Sequence, residues 1–258
     1  FYVLALAVFL LLGVKIRRHG RLIKSKSIIP INHSSELDYI LSAIVTRSKP
    51  WNAVAGINLS INKETLRDKV IVWLIGDLIK NYAITVDRND SNSRANSIKR
   101  TKEELAKGKS VIIFPEGGRT PMTIFLNGTL LRDFQNGAFR ISFEENIPIQ
   151  PIVFDWPAIY IGKKDGSWGV HPCVVDIYYL EPIYPNDYES IESLKNACWI
   201  AMEKQLKASK RIKNFLKNKN TWLALSTGVF YLKYSGVFMD IQSRSWRIID
   251  DAPMLPVE

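Results

Sequence analysis

The chain has 258 residues, a hydrophobic fraction of 47% and a formal net charge of +10. Its length suits one α/β domain with an added tail, or at most two small domains, and the apolar fraction allows a full core. The charge points to phosphate, in nucleic acid or at an anionic lipid surface. Its placement separates the two. Lys15, Arg17, Arg18, Arg21, Lys24 and Lys26 form one run without an acid, and Lys204, Lys207, Lys210, Arg211, Lys213, Lys217 and Lys219 form another. The rest of the chain holds more acids than bases, which argues against a basic groove for a nucleic acid backbone.

In chain order, Phe1 to Val14 is apolar and uncharged and leads into the first basic run. An apolar segment edged by Lys and Arg reads as membrane contact, with the basic edge on the cytoplasmic side. As a helix it falls short of a hydrocarbon core of about 30 Å. The chain starts with Phe, so this segment reads as the end of a longer one, and no small-residue cleavage site follows Val14. Ser27 to Ile31 reads as a strand, and Glu36 to Thr46 as a helix with Leu37, Ile40, Leu41 and Ile44 on one face. Asn52 to Ala55 is a second strand, Lys69 to Ile79 is apolar with a helical bias, and Ala83 to Val86 is a third strand. Ser91 to Lys107 reads as a polar helix with an inner stripe of Ala95, Ile98 and Leu105, closed by Gly108. Ser110 to Phe114 is an apolar strand of the buried kind. A helix over Asn136 to Glu145, strands over Ile149 to Phe154 and Val174 to Leu180, and a helix over Ser190 to Leu206 complete the pattern. Trp222 to Phe238 is again apolar, with only Lys233 charged, and reads as a second membrane contact or a core helix.

Alternating strands and helices predict an α/β architecture, a central mixed sheet flanked by helices behind an N-terminal membrane-associated helix. The expected division is 1–26 for the apolar helix and its basic edge, 27–206 for the α/β domain, and 207–258 for the basic tail. Cys173 and Cys198 have no metal spacing and read as reduced thiols. His19 lies in the basic run and is expected to face headgroups, and His171 lies in a loop.

Two motifs sit where strands end, the place where ligands gather in α/β sheets. In Asn32-His33-Ser34-Ser35-Glu36-Leu37-Asp38, His33 and Asp38 are five apart and would face different sides of a continuous helix. They meet only if His33 lies in the loop and Asp38 in the first helical turn. Ser35 as N-cap puts Asp38 at the third helical position, a capping arrangement that lets the loop curl back. A carboxylate beside an imidazole fixes its tautomer. On spacing alone, a plain helix cap beside an incidental histidine fits equally well. The second motif is Phe114-Pro115-Glu116-Gly117-Gly118-Arg119-Thr120. Its glycines allow close backbone approach, and Arg119 offers a planar fork suited to phosphate. A tight turn with a solvated arginine is the other reading.

Together the motifs resemble the lysophospholipid acyltransferase family, the PlsC-like lysophosphatidic acid acyltransferases. His33 and Asp38 match its His-x4-Asp block. Arg88, after Ala83 to Asp87, matches the second block. Phe114 to Arg119 match Phe-Pro-Glu-Gly-(Thr/Ser)-Arg, with Gly118 in place of the hydroxyl residue. Ile147-Pro148-Ile149-Gln150-Pro151 matches the fourth. Gln135 stands where a lysine is common in the family. The likeness runs from about Val14 to Leu206.

The resemblance implies the glycerolipid acyltransferase fold and direct transfer. His33 would deprotonate the sn-2 hydroxyl of lysophosphatidic acid, which attacks the thioester of acyl-CoA or acyl carrier protein, and Asp38 would orient His33. Arg88, Glu116, Gly117, Gly118 and Arg119 would bind the acceptor's phosphate and glycerol. It implies no cofactor, no metal and no nucleic acid, and a place at the cytoplasmic face of the inner membrane. Another lysophospholipid, a lyso-ornithine lipid, or a silent lipid-binding role at the membrane surface are the rival expectations.

Overall fold

A computed structural model describes residues 2–11, 13–35, 37–46, 51–56, 83–87, 89–118, 130–156 and 173–209, together with four short strands between 222 and 248. The expected helix over Lys69 to Ile79 lies outside the described residues. The elements run α1 (Tyr2–Leu11), β1 (Val14–His19), β2 (Ile28–Pro30), α2 (Leu37–Val45), β3 (Trp51–Gly56), β4 (Ala83–Val86), α3 (Ser91–Ala106), β5 (Ser110–Ile113), α4 (Gly137–Glu145), β6 (Ile152–Asp155), β7 (Cys173–Tyr179) and α5 (Ile191–Ala208).

β2, β5, β3 and β4 form a parallel sheet in the order β2-β5-β3-β4. β1 pairs in parallel with β7, which pairs antiparallel with β6. Single bridges from Ile28 to Ile149 and from Ile31 to Ile152 join the two groups alongside β2, so the surface is mixed. Successive strand residues point to opposite faces. Ile29 and Ile31 therefore pack with Phe9 of α1, with Ile40, Leu41 and Ile44 of α2, and with Ile112, Phe154 and Trp156. Ile28 packs on the other face with Phe139 of α4 and Leu194, Cys198 and Met202 of α5. Both faces are covered, as near-continuously apolar strands require.

Several expectations change. Ala95 is exposed, and the buried face of α3 is Ser97, Thr101 and Leu105, four residues apart. Two of these are polar, but their hydroxyls bond back to the helix, Ser97 to the Arg94 carbonyl at 2.8 Å and Thr101 to that of Ser97 at 2.7 Å. Gly108 follows α3 at φ +83, in the left-handed region its position requires.

The first basic run is not a loose edge. Residues 14–19 are a sheet strand. Arg17 makes a bidentate pair with buried Asp176, directly across the strand pair, and the contact raises its pKa. His19 does not stand free among headgroups: its Nε2 lies 2.8 Å from Asp176 and its ring stacks on Tyr178 at 4.4 Å. Lys26 donates to the Leu105 carbonyl at the end of α3, where a cation suits the helix dipole.

The described parts of Trp222 to Phe238 are strands and not a helix. β8 (Trp222–Ala224), β9 (Phe230–Leu232), β10 (Val237–Asp240) and β11 (Ser245–Ile248) form an antiparallel sheet in sequence order. Among the described residues no helix is long and apolar enough to cross a membrane. Neither cysteine forms a disulfide, and burial pushes the Cys198 thiol pKa upward, which keeps it an inert apolar group.

Candidate active site at the ends of strands β2, β5 and β6

The strand β2 ends at Pro30, and the chain turns through residues 31–35 into α2. Asn32 anchors the turn. Its side-chain amide donates to the Phe154 carbonyl at 3.0 Å and accepts from the Phe154 N–H at 2.7 Å, continuing the strand pairing by a side chain. Ser35 then caps the helix: its hydroxyl accepts from the Leu37 N–H at 3.1 Å, and the Asp38 carboxylate accepts from the Ser35 N–H at 2.7 Å. This reciprocal box is what curls the loop back.

The curl brings His33 onto Asp38, with Nδ1 3.0 Å from Oδ2. The same Oδ2 accepts from the Ser34 N–H at 2.8 Å, and Oδ1 accepts from the Trp156 indole N–H at 2.7 Å. Asp38 has no exposed surface and His33 has 7%. Four donors thus converge on this buried carboxylate, so every contact it makes is as an acceptor. Nδ1 must then carry the ring proton, because it faces an acceptor. Nε2 is left with its lone pair, and has no hydrogen-bond partner among the described residues. The ring is set by Phe114 at 4.4 Å and by the edge of Tyr39 at 5.2 Å. An imidazole fixed in one tautomer and orientation can take a proton at Nε2 and nowhere else.

The second motif meets the first through Glu116. This carboxylate, 5% exposed, accepts from the His33 N–H at 3.0 Å and from the Arg132 N–H at 3.2 Å. It spans the histidine loop and the 130–136 segment. Gly117 sits at φ +73 and its N–H returns to the Phe114 carbonyl at 3.2 Å. A side chain there would be strained and would press on Gln135, 3.3 Å from an added Cβ. Gly118 is sterically freer: a Cβ would lie 3.7 Å from the Arg132 guanidinium, an ordinary contact.

Of the residues singled out in the sequence, His33, Asp38, Glu116, Gly117 and Gly118 come together at the ends of β2 and β5. Arg88 and Arg119 lie outside the described residues. Trp156, Asn32, Tyr39 and Arg132 were not found by sequence reasoning. An Asn before the histidine and a Trp closing a buried strand are the faint signals they leave, and neither says which residue it will meet. Among the described residues no three His, Cys, Asp or Glu side chains group as metal ligands.

The site coincides with a region of recognisable kinship. The chain is 30% identical over 146 residues to a 1-acyl-sn-glycerol-3-phosphate acyltransferase of Helicobacter pylori, and the match covers 56% of this chain and 55% of that protein. The chain thus matches about half the length of this curated relative. Its fold is similar to the crystal structure of the 1-acyl-sn-glycerophosphate (LPA) acyltransferase PlsC of Thermotoga maritima, with a TM-score of 0.57 and 22% identity over 80% of this chain and 77% of that one. The sequence model of the family described as Acyltransferase matches residues 14–155, more than half of the chain, from β1 through both motifs to the end of β6. The chain belongs to the Acyltransferase family.

Proposed function

We propose that the protein transfers a fatty acyl group from acyl-CoA or acyl carrier protein to the sn-2 hydroxyl of lysophosphatidic acid, giving phosphatidic acid. The observation that carries this reading is the His33–Asp38 pair, buried and locked in the tautomer that leaves Nε2 as the proton acceptor. Nε2 takes the hydroxyl proton as the oxygen attacks the thioester carbonyl. The new C–O bond forms, the C–S bond breaks, and the proton passes from the imidazolium to the departing thiolate. Asp38 orients the ring and offsets its transient charge. Arg88 and Arg119 are assigned to the acceptor phosphate, with Glu116, Gly117 and Gly118 shaping the turn beside it.

The test is a panel of acceptors offered to the purified protein with each donor. Lysophosphatidic acid should be acylated at least about tenfold faster, in kcat/KM, than monoacylglycerol, as expected when charged hydrogen bonds to phosphate are lost. Equal use of the two would reject the phosphate assignment. A preference for a lyso-ornithine lipid or another lysophospholipid would move the protein within its family, and no transfer to any acceptor would leave a lipid-binding role.

The same reading sets the protein on the cytoplasmic face of the inner membrane, held through α1. Its Phe9 is buried in the core, while Leu10 and Leu11 are 73% and 87% exposed at its end. Burying an exposed leucine is worth about 1.5–3 kcal/mol. Replacing Leu10 and Leu11 together by Gln should weaken binding to phosphatidylglycerol vesicles at least about tenfold, measured by sedimentation. High salt should weaken it further by screening the basic segments. Binding indifferent to both changes would refute membrane attachment through this end of the helix.

A further inference from the structure

We propose that Arg132 binds the phosphate of the acyl acceptor, in a site formed jointly by its guanidinium and the Gly118 side of the glycine turn. The inference rests on the acceptor reading above and adds a residue that neither motif contains. Three observations carry it. First, the backbone of Arg132 is fixed at both polar groups: its N–H donates to Glu116 at 3.2 Å, and its carbonyl accepts from the Trp199 indole N–H at 3.0 Å. Glu116 also holds the His33 N–H, so one buried carboxylate ties Arg132 to the loop bearing the histidine. Second, Nη1 stands 3.7 Å from the point where Gly118 would carry a Cβ. Among the described residues no other non-neighbouring atom lies within 4 Å of that point, so a ligand oxygen placed there lies against the guanidinium. Third, Arg132 is exposed, and it forms no ion pair among the described residues, whereas Arg17 and Lys102 are taken up by acids.

A guanidinium with no ion-pair partner among the described residues, beside a glycine turn, is suited to a phosphomonoester. Its planar donors reach two oxygens at once, and the missing side chain lets those oxygens come close. The backbone anchors mean that little main-chain freedom is lost on binding. A phosphate could also arrive on the donor, since coenzyme A carries several. The two sources are separated by kinetics.

The experiment compares wild type with Arg132→Gln and Arg132→Lys. Arg132→Gln should raise KM for lysophosphatidic acid about 10- to 100-fold and leave KM for acyl-CoA near its original value. Arg132→Lys should recover part of the loss, because it restores charge without the planar fork. Acylation of monoacylglycerol, which has no phosphate, should fall far less. Calorimetry with glycerol 3-phosphate supplies a readout without turnover: its affinity should drop at least about tenfold in Arg132→Gln. An exposed side chain is not needed for folding, so thermal melts of the variants should overlay. A rise confined to KM for acyl-CoA would assign Arg132 to the donor and overturn the proposal, as would unchanged glycerol 3-phosphate affinity. If wild type favours a different acceptor yet glycerol 3-phosphate affinity still depends on Arg132, the substrate reading fails and the phosphate site stands.

Discussion

His33→Ala is expected to lower kcat for acyl transfer by about 10²- to 10⁴-fold, the range typical of a removed general base. The thioester is already reactive, and the obstacle is the proton of a neutral alcohol. Nε2 is the acceptor the geometry leaves available, and truncation removes it completely. The fold should persist, because the His33 N–H still bonds Glu116 and Asp38 keeps its donors from Ser34, Ser35 and Trp156. Circular dichroism should therefore give a native spectrum for an inactive protein. Activity within threefold of wild type in a well-folded variant would end the general-base assignment.

Asp38→Asn should be nearly as damaging to kcat, at least about 10²-fold, and unlike His33→Ala it should also destabilise. The amide keeps the shape of the carboxylate but offers one acceptor where two are needed. With its oxygen in the Oδ2 position it can still serve Ser34, Ser35 and His33, but its NH2 then faces the Trp156 indole N–H, donor against donor. With the opposite flip three donors are opposed. A buried donor left without an acceptor costs about 1–3 kcal/mol, which chemical denaturation can resolve. The lost charge also removes the counterion of the imidazolium formed during transfer. Unchanged stability would mean that Trp156 finds another partner, and unchanged kcat would mean that His33 needs no orienting carboxylate.

Much of the site was legible because its determinants are local. Six consecutive residues hold the histidine, the cap and the carboxylate, so loop-then-helix follows from Ser35 and Asp38 themselves. Glu116 and the two glycines were visible as a turn after an apolar strand. What tertiary contacts decide was not legible. Nothing near Asp38 announces Trp156, which lies 118 positions away, and nothing near Glu116 announces that its oxygens serve two backbone amides instead of reaching into solvent. The same limit explains β1. Val14 to His19 has the charge of a surface segment, and only the buried Asp176 on a distant strand makes Arg17 and His19 part of a sheet. In α3 the serine and threonine of the inner face satisfy their own hydroxyls, so polarity misled where the four-residue spacing did not.

The joining of the two strand groups along β2 bears on how the chain must fold. Its three residues pair with β5 on one side, while Ile28 and the following Ile31 bridge to Ile149 and Ile152 on the other. Every one of those partners is far away along the chain, and parallel pairing offers no hairpin shortcut. Closing such long loops precedes any gain from the contacts, which makes folding slow compared with proteins built from local pairs. During synthesis, residues 28–38 leave the ribosome long before Glu116 and Trp156 exist to hold them. The early chain therefore carries an unpaired, strongly apolar strand edge, a period of vulnerability to aggregation that ends when β6 arrives.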